Sequence, residues 1–225
     1  MRLDLWKRSL QNKYSQLLVT IIGIFLVAPA FSGTTGQIVI SAVFISTIIA
    51  IIRTFNLKKR EFLLLLTLAG ASFILDIHNT LRVNVVTNQV FVIAVEIIYS
   101  LFILTALVTI NRKLFSEKKV SGDTIKGGIA VFFLIGIFWA LLYHIVYILD
   151  PRAFSQPVEA TDFLDSMFYF SFTTLTTLGY GDIFPVSDLA RSLASLEAII
   201  GVMYPAIYIA RVVGLYTAQE LSKHD

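Results

Sequence analysis

The chain has 225 residues, of which 56% are hydrophobic and 15% charged, with a net charge of +3 and no cysteine. That balance is far too apolar for a soluble domain of this size, and the missing cysteine excludes disulfides and thiolate metal sites. No predicted helix carries paired histidines at metal-ligand spacing and no Gly-x-Ser-x-Gly elbow is present, so an enzyme is not expected.

At about 20 residues per crossing, six apolar stretches read as membrane spans: Leu17–Phe31, Gln37–Ile52, Phe62–Ile77, Val90–Ile110, Gly127–Leu149 and Leu189–Leu215. The first three are short and borrow flanking residues to cross. The first follows Arg2, Lys7, Arg8 and Lys13, as the apolar run of a signal peptide would. No small-residue cleavage site follows it and further spans do, so it is read as a mature helix. Ser41-Ala42 and Gly70-Ala71-Ser72 are small-residue patches suited to helix contact. Between the fifth and sixth spans, Asp162–Leu175 is apolar and aromatic but too short to cross, which suits a re-entrant helix. Asp162 and Asp165 open that helix, with carboxylates at its positive end. The expected fold class is an all-α membrane protein with six transmembrane helices and a re-entrant helix.

Lysine and arginine are unevenly distributed. Fifteen fall before the first span, between spans two and three, between spans four and five, or at the end of the sixth as Arg211 and Lys223. Only Arg82, Arg152 and Arg191 fall on the other side. Positive charge stays with the cytoplasm, so both termini are expected there and the segment between spans five and six outside. That outer segment carries Asp150, Glu159, Asp162, Asp165, Asp182 and Asp188, a rim that concentrates cations in a salt-dependent way. Apart from Asp182, ordinary loop charge explains the rim equally well. The fourth span has no basic residue and contains Glu96. Moving one charge through 100 mV yields only about 2.3 kcal/mol, so steep voltage sensing by this span is not expected. His144 in span five, and Asp76 with His78 at the outer end of span three, suit either a proton sensor or plain packing.

The sharpest stretch is Thr174-Leu-Thr-Thr-Leu-Gly-Tyr-Gly-Asp182. Its glycines reach backbone angles that residues with a Cβ avoid, so successive carbonyls can be aimed one way. A stack of carbonyls replaces the water around a bare cation. The stretch resembles the selectivity filter of tetrameric potassium channels, here in a six-span subunit with a single pore loop. The likeness is sharp over about residues 127–215, where Ala190-Arg-Ser-Leu-Ala-Ser-Leu-Glu197 and Ile209-Ala-Arg-Val-Val-Gly-Leu215 also look like simple prokaryotic ion-channel proteins. Before residue 127 it is architectural, since sensor arginines are missing.

The resemblance implies potassium bound by the carbonyls of Thr177, Leu178, Gly179 and Tyr180 with the Thr177 hydroxyl, Gly179 and Gly181 supplying the unusual angles. Thr176, Asp182, Tyr169, Phe170 and Thr173 would support the filter, Asp182 from behind and the aromatics by packing. Thr173 stands where some members carry a carboxylate, and Leu178 replaces the commoner valine or isoleucine. Gly201 and Pro205 are hinge candidates in the last span, with close packing as the other account of Gly201. Glu197, an acid inside that span, would buttress the filter loop or bind Arg191.

The domain expectation is a cytoplasmic N-terminus (1–16), a four-helix domain without gating charges (17–110), a cytoplasmic linker (111–126), a pore domain (127–215) and a short cytoplasmic tail (216–225). The tail is too short for a ligand-binding domain, so a gating signal would act on the membrane domain, the filter or a separate regulatory subunit. One loop per chain, with no second Gly-Tyr-Gly, implies a homotetramer. Potassium is the permeant ion and no cofactor is expected. The setting is the lipid bilayer of a prokaryotic inner or plasma membrane, with no nucleic acid. The alternatives are a weakly selective cation pore and a potassium-binding subunit of a transport system.

Overall fold

The computed structural model describes residues 13–27, 67, 70, 89–155 and 163–222. Within them the chain is helical, with no strand beyond an isolated bridge between Phe154 and Pro185. We number the helices in chain order: α1 Lys13–Val27, α2 Gln89–Ser116, α3 Gly122–Leu149, α4 Phe163–Leu175 and α5 Asp188–Leu221. Among the described residues, three are long and apolar enough to cross a membrane: α2, α3 and α5. The described residues are those of an all-α integral membrane protein. The second and third expected spans, with Asp76, His78, Ser41 and Ala42, lie outside the described residues apart from helical Thr67 and Gly70.

The helices overrun the apolar stretches at their polar ends. α2 continues past Ile110 through Arg112 and Lys113 to Ser116, and α3 starts at Gly122 rather than Gly127. Of the linker expected over 111–126, only 117–121 lies outside a helix. The reason is local. Ser121 is the N-cap of α3, its hydroxyl accepting from the Thr124 amide, with Asp123 in the first turn. Polar residues extend a helix wherever its end is capped, whereas hydropathy sees only the lipid-facing middle.

α3 is the hub, packed against all four other described helices. In a bilayer, lipid tails are as apolar as leucine, so helices associate through close packing and hydrogen bonds rather than water exclusion. α3 accordingly buries residues around most of its circumference, from Ala130 and Val131 to Leu141 and Tyr143. α1 meets it with Leu17 and Ile21, and α2 with a stripe through Phe102, Ala106, Ile110 and Leu114. Glycines admit the largest neighbours. A Cβ on Gly128 would stand 2.0 Å from the Tyr208 ring of α5, and one on Gly136 2.5 Å from the Phe172 ring of α4.

Helix ends are stitched by polar groups on one face of the bundle. The Asp123 carboxylate accepts from the Tyr14 and Ser15 amides at 3.5 and 3.1 Å, taking two donors that α1 cannot satisfy itself. Ser15 adds its hydroxyl to the same carboxylate and accepts from Lys126 at 2.9 Å. Arg211 of α5 donates to the Phe115 carbonyl and, at 3.2 Å, to the Glu117 carbonyl where α2 ends, its guanidinium 5.2 Å above the Phe115 ring. The start of α1, the end of α2, the start of α3 and the Arg211 turn of α5 therefore share one face.

Asp123→Ala should remove the cap of α1 at a cost of about 1 kcal/mol. A lower thermal midpoint of the detergent-solubilised protein is the expected result, and an unchanged midpoint would show that Asp123 does not hold α1.

Candidate functional site

The site is built where α4 ends. A helix leaves its last carbonyls without intrahelical donors, and here the following loop supplies them. The Thr176 amide donates to Phe172 O at 3.1 Å and the Thr177 amide to Thr174 O at 2.9 Å. Both the Leu178 and Gly179 amides donate to the Thr173 carbonyl, at 2.8 and 3.1 Å. In a trans peptide the C=O points opposite to the next N–H, so the Thr177 and Leu178 carbonyls are directed away from α4. Among the described residues no backbone amide donates to the carbonyls of Thr177, Leu178, Gly179 or Tyr180. The helix end uses up the loop's donors and leaves its acceptors free.

The backbone alternates to achieve this. Thr177, Gly179 and Gly181 have φ of 58°, 52° and 83°, every second residue in the left-handed region. Glycine tolerates this freely, and around Gly179 and Gly181 a Cβ would meet nothing within 4 Å, so the requirement there is on φ rather than space. Thr177 is different. A β-branched residue with positive φ carries strain of about 1–2 kcal/mol, and nothing in its sequence neighbourhood announces it. Thr176 bonds its hydroxyl back to Phe172 O at 2.6 Å, and Thr173 to Phe170 O at 2.9 Å.

Asp182 closes the far end of the loop. The Tyr169 hydroxyl donates to Asp182 Oδ2 at 2.7 Å, and the Tyr169 ring stacks on Tyr180 with centroids 6.4 Å apart and planes 6° from parallel. That hydrogen bond is the main reason the Asp182 carboxyl sits below its ordinary pKa. Phe170 is buried one residue on, edge to face with Tyr143 at 4.9 Å and Phe154 at 5.3 Å. Residues 153–155, unmarked in the sequence, clamp the exit of the loop. Ser155 N donates to Phe184 O at 3.0 Å, Phe184 N to the Ser155 hydroxyl at 3.1 Å, and Val186 N to Ala153 O at 2.7 Å.

α5 crosses behind this loop. Glu197 and Arg191, six residues apart on it, are not brought together. Arg191 Nε donates to Pro185 O at 3.4 Å, while Glu197 is fully buried, accepting from the Tyr143 hydroxyl at 2.5 Å and lying 2.5 Å from Ser171 Oγ. Tyr143 and Ser171 were not singled out in the sequence, although an acid inside a span requires such partners. Gly201 lies where a Cβ would stand 1.9 Å from the Leu175 carbonyl oxygen, so α5 rests directly on the backbone at the end of α4. Pro205 lies inside the same continuous helix, where it removes a donor to the carbonyl four residues back. Glu96 and His144 form a pair between α2 and α3, at 2.7 Å.

The family model described as an ion channel matches residues 130–218, which contain α4, the loop and most of α3 and α5. Over 107 residues the chain is 33% identical to the voltage-gated potassium channel Kch of Escherichia coli strain K12, a stretch that is 47% of this chain and 23% of that protein. It is 33% identical over 70 residues to Protein LctB of Bacillus caldotenax, covering 31% of this chain and 50% of that one. With Protein LctB of Geobacillus stearothermophilus it shares 31% identity over 80 residues, 33% of this chain and 59% of that one. The chain thus spans less than two thirds of each of these relatives. No solved structure matches it.

Because the Tyr169 bond lowers the Asp182 pKa, that bond is complete above the ordinary carboxylate range and is lost as pH falls through the lowered value. Tyr169→Phe should return the Asp182 carboxyl towards its ordinary value, read by a carboxyl NMR titration; no upward movement would show that the hydroxyl does not hold it.

Proposed function

We propose that the chain, whose residues 130–218 match the ion-channel family model, is a potassium-selective channel subunit of the prokaryotic type, conducting passively through the Thr176–Asp182 loop. The observation that carries this reading is the alternation of φ at Thr177, Gly179 and Gly181 together with both Leu178 and Gly179 amides turned onto Thr173 O. It leaves the Thr177 and Leu178 carbonyls turned away from α4 and without amide partners. Carbonyls presented in this way, with the Thr177 hydroxyl, are the chemistry that replaces the hydration shell of potassium. The printed name of the Kch relative points the same way.

A single loop forms one wall of such a pore, so the functional unit is a homotetramer around an axis passing in front of the loop. The surface of α5 supports this. Val202, Met203, Ile207 and Ile209 are mostly exposed on the isolated chain, and the helix buries little besides Ala190, Glu197, Gly201 and Tyr208. The remaining apolar faces suit neighbouring subunits, the inner pore and lipid. The face that joins the end of α2 to Arg211 also carries Lys113, Lys118, Lys119 and Lys126, which supports a cytoplasmic position for it and an outer position for the loop. Residues 127–215 form the pore domain in this reading, and 17–110 a domain without gating charges.

The fourth span argues against steep voltage gating. From Gln89 to Ile110 α2 has no basic residue, and its acid, Glu96, is matched by His144 of the neighbouring helix.

The test is cation flux in liposomes holding the purified chain. Wild type is expected to pass potassium well above sodium, and Gly179→Ala, which imposes about 1–2 kcal/mol of left-handed strain in each subunit, to lose selective flux. Equal potassium and sodium flux in the wild type would reject potassium selectivity and leave a general cation pore. In planar bilayers, open probability is expected to vary only weakly with voltage; a steep dependence would reject the uncharged reading of α2.

A further inference from the structure

Glu197 lies in the apolar body of α5, fully buried, and its carboxyl joins three helices. Tyr143 of α3 donates to Oε2 at 2.5 Å, and Oε1 lies 2.5 Å from the Ser171 hydroxyl of α4. Ser171, also fully buried, lies 2.8 Å from the Gly136 carbonyl of α3. A serine hydroxyl has one proton, and two acceptors stand within its reach. The run closes when the group at 197 accepts from Tyr143 and donates to Ser171, leaving the serine proton for Gly136 O. An acid carboxyl does both, and so does a glutamine amide.

A second contact repeats the first one turn further along. Gly201 follows Glu197 by four residues on α5, and Leu175 follows Ser171 by four on α4, so Glu197 meets Ser171 while Gly201 rests on the Leu175 carbonyl. Two matched contacts a turn apart fix α4 on α5 in both position and register. Between Ser171 and Leu175 sits Thr173, whose carbonyl holds the Leu178 and Gly179 amides. A shift of α5 therefore reaches the loop through a short run of bonded groups.

We infer that Glu197 is a positioning residue for ion selection, acting as a donor and acceptor that seats the pore helix on the inner helix and so sets the Thr173 anchor of the filter. It does not touch the permeant ion. The inference rests on the channel reading above.

The test uses the full-length protein in liposomes, with potassium and sodium flux measured for wild type, Glu197→Gln, Glu197→Ala, Ser171→Ala and the Glu197→Ala/Ser171→Ala pair. Assembly is followed by the size of the solubilised particle. Glu197→Gln is expected to keep the potassium-to-sodium ratio within about threefold, whereas Glu197→Ala and Ser171→Ala each lower it about tenfold, the factor of one buried partner left unpaired. The double variant should be no worse than Glu197→Ala, since both changes break the same run. Wild type without selectivity would reject the channel reading itself. With wild type selective, the inference fails if Ser171→Ala keeps the full ratio, if Glu197→Gln is as damaged as Glu197→Ala, or if the two alanine effects add. Where Glu197→Ala does not assemble, Ser171→Ala against Glu197→Gln decides.

Discussion

The carbonyl oxygen of Thr173 is the point on which the loop depends. It accepts two successive amides, from Leu178 and Gly179, and so fixes the orientation of two peptide planes at once. Because a peptide's donor and acceptor point opposite ways, tying the donors to the helix end obliges the Thr177 and Leu178 acceptors to face the other side. The left-handed angles at Thr177, Gly179 and Gly181 follow from this as the conformations that let a short loop fold back under the helix without closing its own carbonyls into hydrogen bonds.

That anchor is only as well placed as α4, and the buried face of α4 is held by groups suited to a membrane interior. Phe172 fills the space above Gly136, Phe170 packs edge to face against Tyr143 and Phe154, and Ser171 bonds to Gly136 O and Glu197. Without water exclusion to press helices together, such close contacts and satisfied polar groups decide their arrangement. Polar residues at the ends of the bundle act similarly. Asp123 takes the open amides of α1, and Arg211 the open carbonyls of α2, so charges that look like simple lipid-boundary markers also terminate neighbouring helices.

The sequence was most legible where a strong physical requirement acts on a few consecutive residues. The short apolar stretch expected over 162–175 lies within one residue of α4, and the last apolar stretch within one residue of the start of α5, because an abrupt change from polar to apolar coincides with a helix start there. The other ends were less legible. Hydropathy stops at Ile110 and resumes at Gly127, while the helices run on through capped, charged turns. Gly201 illustrates a deeper ambiguity: a glycine in an apolar helix suits bending and contact alike, and its approach to Leu175 O appears only once α4 and α5 are placed together.

By itself the sequence determined a helical membrane protein, the uneven spread of lysine and arginine along it, and a loop in which glycine recurs at every second position to permit left-handed angles. These are local properties, set by side-chain transfer energies and by φ preferences within a few residues. Only the tertiary structure decided that a β-branched threonine would share those angles, that Ser155 and Ala153 would clamp the loop's exit, and that Glu197 would find Tyr143 and Ser171 rather than Arg191. Those partners lie 26 and 54 positions from Glu197 along the chain, and a buried polar group is satisfied by whichever polar partners packing brings within reach, which no local pattern encodes.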